Sequence, residues 1–156
     1  MKSIIYVLIG PKGAGKTHIG TRIAENSDVC FLRVEPIWLS LSEGEDGWDK
    51  VASTIDDLAR SHSRIMIESL GAGPGFAGLK ERLEENYDVR LIRVQTDLGE
   101  CLKRVRERDS TDHIPISDEK VEEYNAIAAR VVYDWDAVID NNGPATLQEM
   151  LEAIED

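Results

Sequence analysis

Ser3-Ile-Ile-Tyr-Val-Leu-Ile9, followed at once by Gly10-Pro-Lys-Gly-Ala-Gly-Lys-Thr17, is the stretch on which the fold of this chain turns. Ile4 to Ile9 is unbroken apolar sequence, the pattern of a strand covered on both faces. After it come Gly10, four residues, Gly15, Lys16 and Thr17, and a helical pattern begins near His18. This is a Walker A loop. Small residues let successive backbone N–H groups curl around a phosphate at a helix N-terminus; Lys16 bridges the β- and γ-phosphates, and the Thr17 hydroxyl is placed to ligand Mg²⁺. At this composition the motif arises by chance in roughly 0.4% of such chains, before the strand-loop-helix context is counted. Gly10, Pro11, Lys12, Gly13, Ala14, Gly15, Lys16, Thr17 and His18 are therefore the candidate nucleotide-binding residues, with ATP and Mg²⁺ as the expected cofactors.

Outward from this loop, strand-like and helix-like segments alternate. Asp28 to Val34, Arg64 to Ile67, Val89 to Gln95 and Ala137 to Ile139 are the remaining strand candidates. Trp48, Val51, Ala52, Ile55, Leu58 and Ala59 recur at helical spacing, and so do Leu98, Cys101, Leu102 and Val105 behind Asp97, with Glu100 completing a capping box. Ser117 opens a helix expected to turn Val121, Tyr124, Ile127, Ala128 and Val131 inward. Thr146 with Glu149 caps a last helix carrying Leu147, Met150, Leu151 and Ile154. Strands separated by helices run parallel with right-handed crossovers, so the expected fold is α/β, a three-layer α/β/α sandwich on a five-stranded parallel sheet. At 156 residues the chain reads as one domain over 1–156.

Composition narrows the function classes. The chain carries 18 Lys and Arg against 30 Asp and Glu, a net charge of -12, a field that repels nucleic acid and anionic membrane surfaces. Its longest apolar run is far below the roughly 20 residues that span a bilayer. Its flanks lack a signal peptide's cleavage region, so a cytoplasmic location is expected. Cys30 and Cys101 match no metal-ligand spacing and read as core thiols.

No Asn-Lys-x-Asp guanine-recognition motif and no ABC signature is present, and the chain is short for an arginine-finger ATPase with its helical domain. The order of parts resembles that of small P-loop kinases. The stretch LIGPKGAGKTHIG resembles the start of shikimate-kinase-like enzymes, and VIDNNGPATLQEMLEAI is similar to the last strand, base-contacting loop and C-terminal helix of small-molecule and nucleotide kinases. FLRVE, Phe31 to Glu35, stands where shikimate kinases have FxDxD, with Arg33 and Glu35 replacing the two aspartates. IMIESLGAGPG occupies the acceptor-loop position but matches neither the shikimate kinase nor the adenylate kinase pattern. RVRERDSTDHIPI, Arg104 to Ile116, is similar to the lid of kinases that phosphorylate hydroxyls on nucleic acid ends or charged tRNA. The resemblance implies a short lid, about 109–117, after strand four.

On this basis Lys16, Glu35, Arg104 and Arg108 are the candidate catalytic residues. Glu35, expected to close strand two, would accept the proton of the attacking hydroxyl. Arg104 and Arg108, four residues apart on one helix face, would meet the charge that spreads over the transferring phosphoryl group. Glu68, after Ile65-Met-Ile67, would hold the metal through water beside Thr17. Asn141 and Asn142 would contact the base edge. Few arginines lie near strand ends in the acceptor half, which disfavours a nucleoside monophosphate; only Arg33 is well placed for a carboxylate such as shikimate's, and a neutral polyol, a nucleoside or an amine-bearing alcohol fits the charge balance better. The expected function is ATP-dependent phosphoryl transfer to a hydroxyl of a small molecule. A nucleotide-binding switch without transfer and a nucleic-acid 5′-hydroxyl kinase are the alternatives.

Overall fold

The computed structural model describes residues 2–107 and 117–155. Arg108 and residues 109–116 of the expected lid lie outside the described residues. The elements are β1 (Ile4–Ile9), α1 (Lys16–Glu25), β2 (Cys30–Phe31), α2 (Glu35–Leu39), α3 (Gly47–Leu58), β3 (Arg64–Ser69), α4 (Gly73–Asn86), β4 (Asp88–Gln95), α5 (Leu98–Glu107), α6 (Asp118–Ala129), β5 (Ala137–Asp140) and α7 (Leu147–Glu152). The five strands form one parallel sheet in the order β2-β3-β1-β4-β5.

β1 sits at the centre, paired with β3 and β4, and Ile5 to Ile9 are at most 1% exposed. Alternation sends Tyr6 and Leu8 into one core with Ile19 and Ile23 of α1, Cys101 of α5 and Met150 of α7. Ile5, Val7 and Ile9 enter the other core with Val51 and Ile55 of α3 and Phe76, Leu79 and Leu83 of α4. Both faces demand apolar side chains, which is why the strand reads as a continuous run. Burying five such side chains stabilises the sheet by on the order of 10 kcal/mol before chain entropy is counted.

Three local expectations change. β2 spans only Cys30–Phe31 rather than Asp28 to Val34. After one further sheet bond, Leu32 N–H to Met66 C=O, Val34 turns helical and Pro36 occupies the first turn of α2, where its missing N–H costs nothing. Glu35 therefore opens a helix instead of closing a strand. On α6 the inward row is Val121, Asn125 and Ala128, while Tyr124 and Ile127 face solvent at 39% and 49% exposure. The two rows have the same helical spacing, and the one containing Asn125 wins because its amide meets the Walker A backbone. At the start of α5, Asp97 Oδ1 accepts from Gly99 N–H at 2.8 Å, but Glu100 turns to Arg104 at 3.3 Å and completes no box. The Asp97 N–H is already taken by Asn142 Oδ1 at 2.6 Å. The box of Thr146 and Glu149 forms in full.

Candidate active site

The phosphate loop is shaped from outside as well as by its own sequence. Gly13 and Gly15 have φ of 88° and 101°, the left-handed region that side chains avoid. A Cβ on Gly13 would collide with the Cys101 carbonyl of α5. Between these glycines Ala14 is fully buried, and its carbonyl accepts from Thr96 Oγ1 at 3.0 Å, Asn141 Nδ2 at 2.8 Å and Arg104 at 3.3 Å. At the apex, Lys12 N–H donates to Asn125 Oδ1 at 2.7 Å and Asn125 Nδ2 returns a bond to the Lys12 carbonyl at 2.9 Å. Asn125 is 2% exposed. The Lys12 N–H is spent on Asn125 and the Ala14 N–H on the Pro11 carbonyl at 3.1 Å, and further N–H groups of the loop and of the α1 first turn are left to face a ligand. Among the described residues, no acidic first-turn residue and no side-chain cap competes for that helix start.

Lys16 lies across this nest, its ammonium donating to the Gly10 carbonyl at 2.5 Å and the Ser69 carbonyl at 3.2 Å. It thus bridges the ends of β1 and β3. Burial pushes its pKa down from 10.5 to about 8, against the pull of Glu68. Glu68 is 6% exposed, and burial raises its carboxyl above the usual range while Lys16 and Arg33 oppose that shift. Its Oε2 is buried and accepts no hydrogen bond among the described residues.

Glu35, at the first position of α2, pairs with Lys12 at 3.3 Å, with both side chains mostly covered. The two residues, together with Lys16, Thr17, His18 and Glu68, line one cavity of about 460 Å³ that continues between α2, α3 and α4 past Trp38, Trp48 and Leu79. Trp38 and Trp48 stand in its wall, whereas Phe76 is plain core. Arg104 reaches the loop side of the same cavity. Its guanidinium is fastened to the Ala14, Asn141 and Asn142 carbonyls, so in this state it clamps the phosphate loop to the β5–α7 connection. Asn141 uses Oδ1 to accept from Ala145 N–H and Nδ2 to hold Ala14, and Asn142 ties Asp97 to Asp140.

The structure therefore brings Gly10 to His18, Glu35, Glu68, Arg104 and Asn141 into one neighbourhood. Sequence reasoning missed Asn125 and Thr96. The signal for Asn125 was a lone amide in an otherwise apolar helical row. Among the described residues, no group of three or more His, Cys, Asp or Glu side chains gathers as a metal cluster, and no helix is long and apolar enough to cross a membrane.

No family model matches the chain. A curated relative, the ATP-dependent protease ATPase subunit ClpY of Bacillus subtilis (strain 168), is 33% identical over 88 residues, 56% of this chain. The match spans only 17% of that protein's length. A shikimate kinase of Colwellia psychrerythraea (strain 34H / ATCC BAA-681) is 28% identical over 146 residues, covering 80% of this chain and 84% of the enzyme. Among solved structures, shikimate kinase from Acinetobacter baumannii in complex with shikimate superposes with a TM-score of 0.62 at 20% identity over 99% of this chain and 93% of that one. The Pnkp1/Rnl/Hen1 RNA repair complex gives 0.69 at 14% identity, over 82% of this chain and 44% of that one. A deoxyadenosine kinase from M. mycoides with bound dATP gives 0.59 at 15% identity, over 96% of each chain. With the Walker A loop on the central strand, β3 beside it and the 2-3-1-4-5 order of the sheet, this chain has the P-loop kinase fold.

Proposed function

We propose that the protein is an ATP-dependent phosphotransferase that moves the γ-phosphoryl group of ATP to a hydroxyl of a small molecule. The observation that carries this reading is the continuity of one cavity from the phosphate loop to Glu35 and on between α2, α3 and α4. A switch that only binds nucleotide has no need of an acceptor chamber joined to its phosphate loop. Arg33, whose bulk would close that chamber, is not in its wall.

ATP lies with its phosphates on the Gly10 to Thr17 loop and Lys16 at the β- and γ-phosphates. Lys12 then gains phosphate oxygens as partners, and Glu35 is released to the acceptor. The hydroxyl oxygen forms a bond to the γ-phosphorus as the bond to the β-γ bridging oxygen breaks, ADP leaves, and the hydroxyl proton passes to the Glu35 carboxylate. The Thr17 hydroxyl and Glu68, the latter through water, are the residues that would hold Mg²⁺. The unpartnered buried Glu68 Oε2 fits that role as an acceptor for a metal-bound water. Such an ion neutralises charge on the phosphate oxygens.

The test is ADP release across a panel of hydroxyl compounds, compared between the wild type and Glu35→Gln. Loss of the base is expected to lower turnover roughly 10²- to 10³-fold while the melting shift induced by an ATP analogue persists. Undiminished turnover in Glu35→Gln, or no acceptor-dependent ADP release, would overturn the assignment.

A further inference from the structure

The acceptor half of the cavity differs in chemistry from its phosphate half. Beyond Glu35 and Glu68 the wall is mainly Val34, Trp38, Trp48, Val51, Leu70 and Leu79, with Ser69 its polar member at the end of β3. Trp38 and Trp48 meet edge to face, with ring centroids 5.4 Å apart and planes at 80°. Each ring rests on a glycine: Trp38 on Gly47 of α3 and Trp48 on Gly75 of α4, where any Cβ would overlap the indole. The two indoles are thus held in fixed positions, and both remain only partly covered on the cavity side.

Among the described residues, the lysines and arginines of the cavity wall are Lys12, Lys16 and Arg104, all at the phosphate end. Arg33 lies outside the wall, where its charge acts on Glu68, and the other described basic residues of the acceptor half are engaged elsewhere. Lys50 pairs with Glu45, Arg60 with Asp57, Arg64 with Asp28, Lys80 with Glu84, and Arg82 with Asp49. A carboxylate or phosphate on the acceptor's body would sit against indole and aliphatic surface, with Glu35 and Glu68 in the same wall and Lys12 already paired with Glu35 at 3.3 Å. Among the described residues no lysine or arginine lines the wall around Trp38 and Trp48, so an anion held there would give up hydration with no contacting cation to replace it, a cost that binding does not recover. A many-hydroxyl sugar has a related difficulty, because the apolar wall offers few partners for its donors and acceptors.

Resting on the phosphotransferase reading above, we infer that the acceptor is an uncharged alcohol with an apolar ring body. Its ring packs against Trp38 and Trp48 and its hydroxyl is directed at Glu35. This places the substrate class apart from shikimate-type carboxylates, sugar acids and nucleoside monophosphates. The cavity volume lies in the range of clefts that enclose small ligands, with room for the γ-phosphoryl group and a body of one or two rings.

The experiment uses probes that share a ring and carbon skeleton and end in an alcohol or a carboxylate: indole-3-ethanol against indole-3-acetate, and 2-phenylethanol against phenylacetate. Binding is read by ligand-observed NMR on the full chain with Mg²⁺ and a non-hydrolysable ATP analogue, and ADP release is read separately with ATP. The neutral member of each pair is expected to bind at least about tenfold more tightly, Trp38→Ala to weaken that binding about tenfold, and Trp38→Phe to restore it, with the analogue-induced melting shift unchanged throughout. Equal or tighter binding of the carboxylates, or no binding by either neutral probe, overturns the inference about class. Tight neutral binding without ADP release from any hydroxyl compound leaves the pocket chemistry standing and defeats phosphoryl transfer. ADP release driven by shikimate or AMP and not by the neutral alcohols does the reverse.

Discussion

Replacing Asn125 by Ala should damage nucleotide binding although the residue lies on α6 and has no sequence signature of a phosphate site. Its amide makes two reciprocal bonds, 2.7 and 2.9 Å, with the N–H and C=O of Lys12 at the apex of the phosphate loop. Each bond contributes a net 0.5–1.5 kcal/mol, and each polar group left unpaired costs about 1–3 kcal/mol. Since water can reach the outer side of the loop, a total of roughly 2–4 kcal/mol is reasonable, equal to a fall in Tm of roughly 5–12 °C for a chain of this size. The bonds hold loop backbone rather than core, so part of that loss must appear as loop disorder that ATP has to repair. If about 1.4 kcal/mol of it does, the Kd for an ATP analogue rises about tenfold. Calorimetric titration of the analogue, with urea unfolding in parallel, separates the two components. Asn125→Leu fills the same space without the bonds and should behave like Asn125→Ala in affinity. A Tm loss with the Kd unchanged within about twofold, or wild-type affinity in Asn125→Leu, would refute loop tethering and reduce Asn125 to packing.

Three further perturbations probe the same site. The Lys16 amine, buried to a pKa of about 8 between Glu68, Lys12 and Glu35, must be protonated to meet phosphate, so the ATP-analogue Kd should rise about tenfold from pH 7 to pH 9, with proton uptake visible as a buffer-dependent heat; a flat profile would contradict it. Its folded pKa lies below the unfolded value of 10.5, so the unfolded chain holds more protons between pH 8 and 10.5, and across that window this group makes the nucleotide-free protein more stable as pH rises. Gly13→Ala must adopt a left-handed φ and press a methyl group on the Cys101 carbonyl, which should cost about 1–3 kcal/mol in urea unfolding; an unchanged midpoint would contradict that strain. Arg104→Ala removes donors from Ala14 and Asn141 and should lower amide-exchange protection across 141–145 and weaken analogue binding about tenfold, both readable by exchange mass spectrometry and titration; protection equal to wild type would dismiss the clamp.

The features that the sequence alone determined are those whose physics is local. An unbroken apolar run from Ile4 to Ile9 can only be satisfied by covering both faces of a strand, and Gly13 and Gly15 with Lys16 and Thr17 carry the phosphate loop in eight consecutive residues. The Thr146–Glu149 capping box is likewise complete within four residues. What only the tertiary structure decided depends on partners far along the chain. Asn125 and Lys12, separated by 113 positions, meet because α6 returns over the loop, and that contact chooses between two helical rows of equal spacing. Glu35 left the strand for the first turn of α2 because an edge strand with a single neighbour releases its end easily when Pro36 favours a helix start. The tryptophan pair became a cavity wall only where Gly47 and Gly75, on two different helices, leave space for the rings. Periodicity can say that such side chains are apolar and near a helix face, but the face they share with a ligand is set by how three helices cross, a relation that no window of sequence contains.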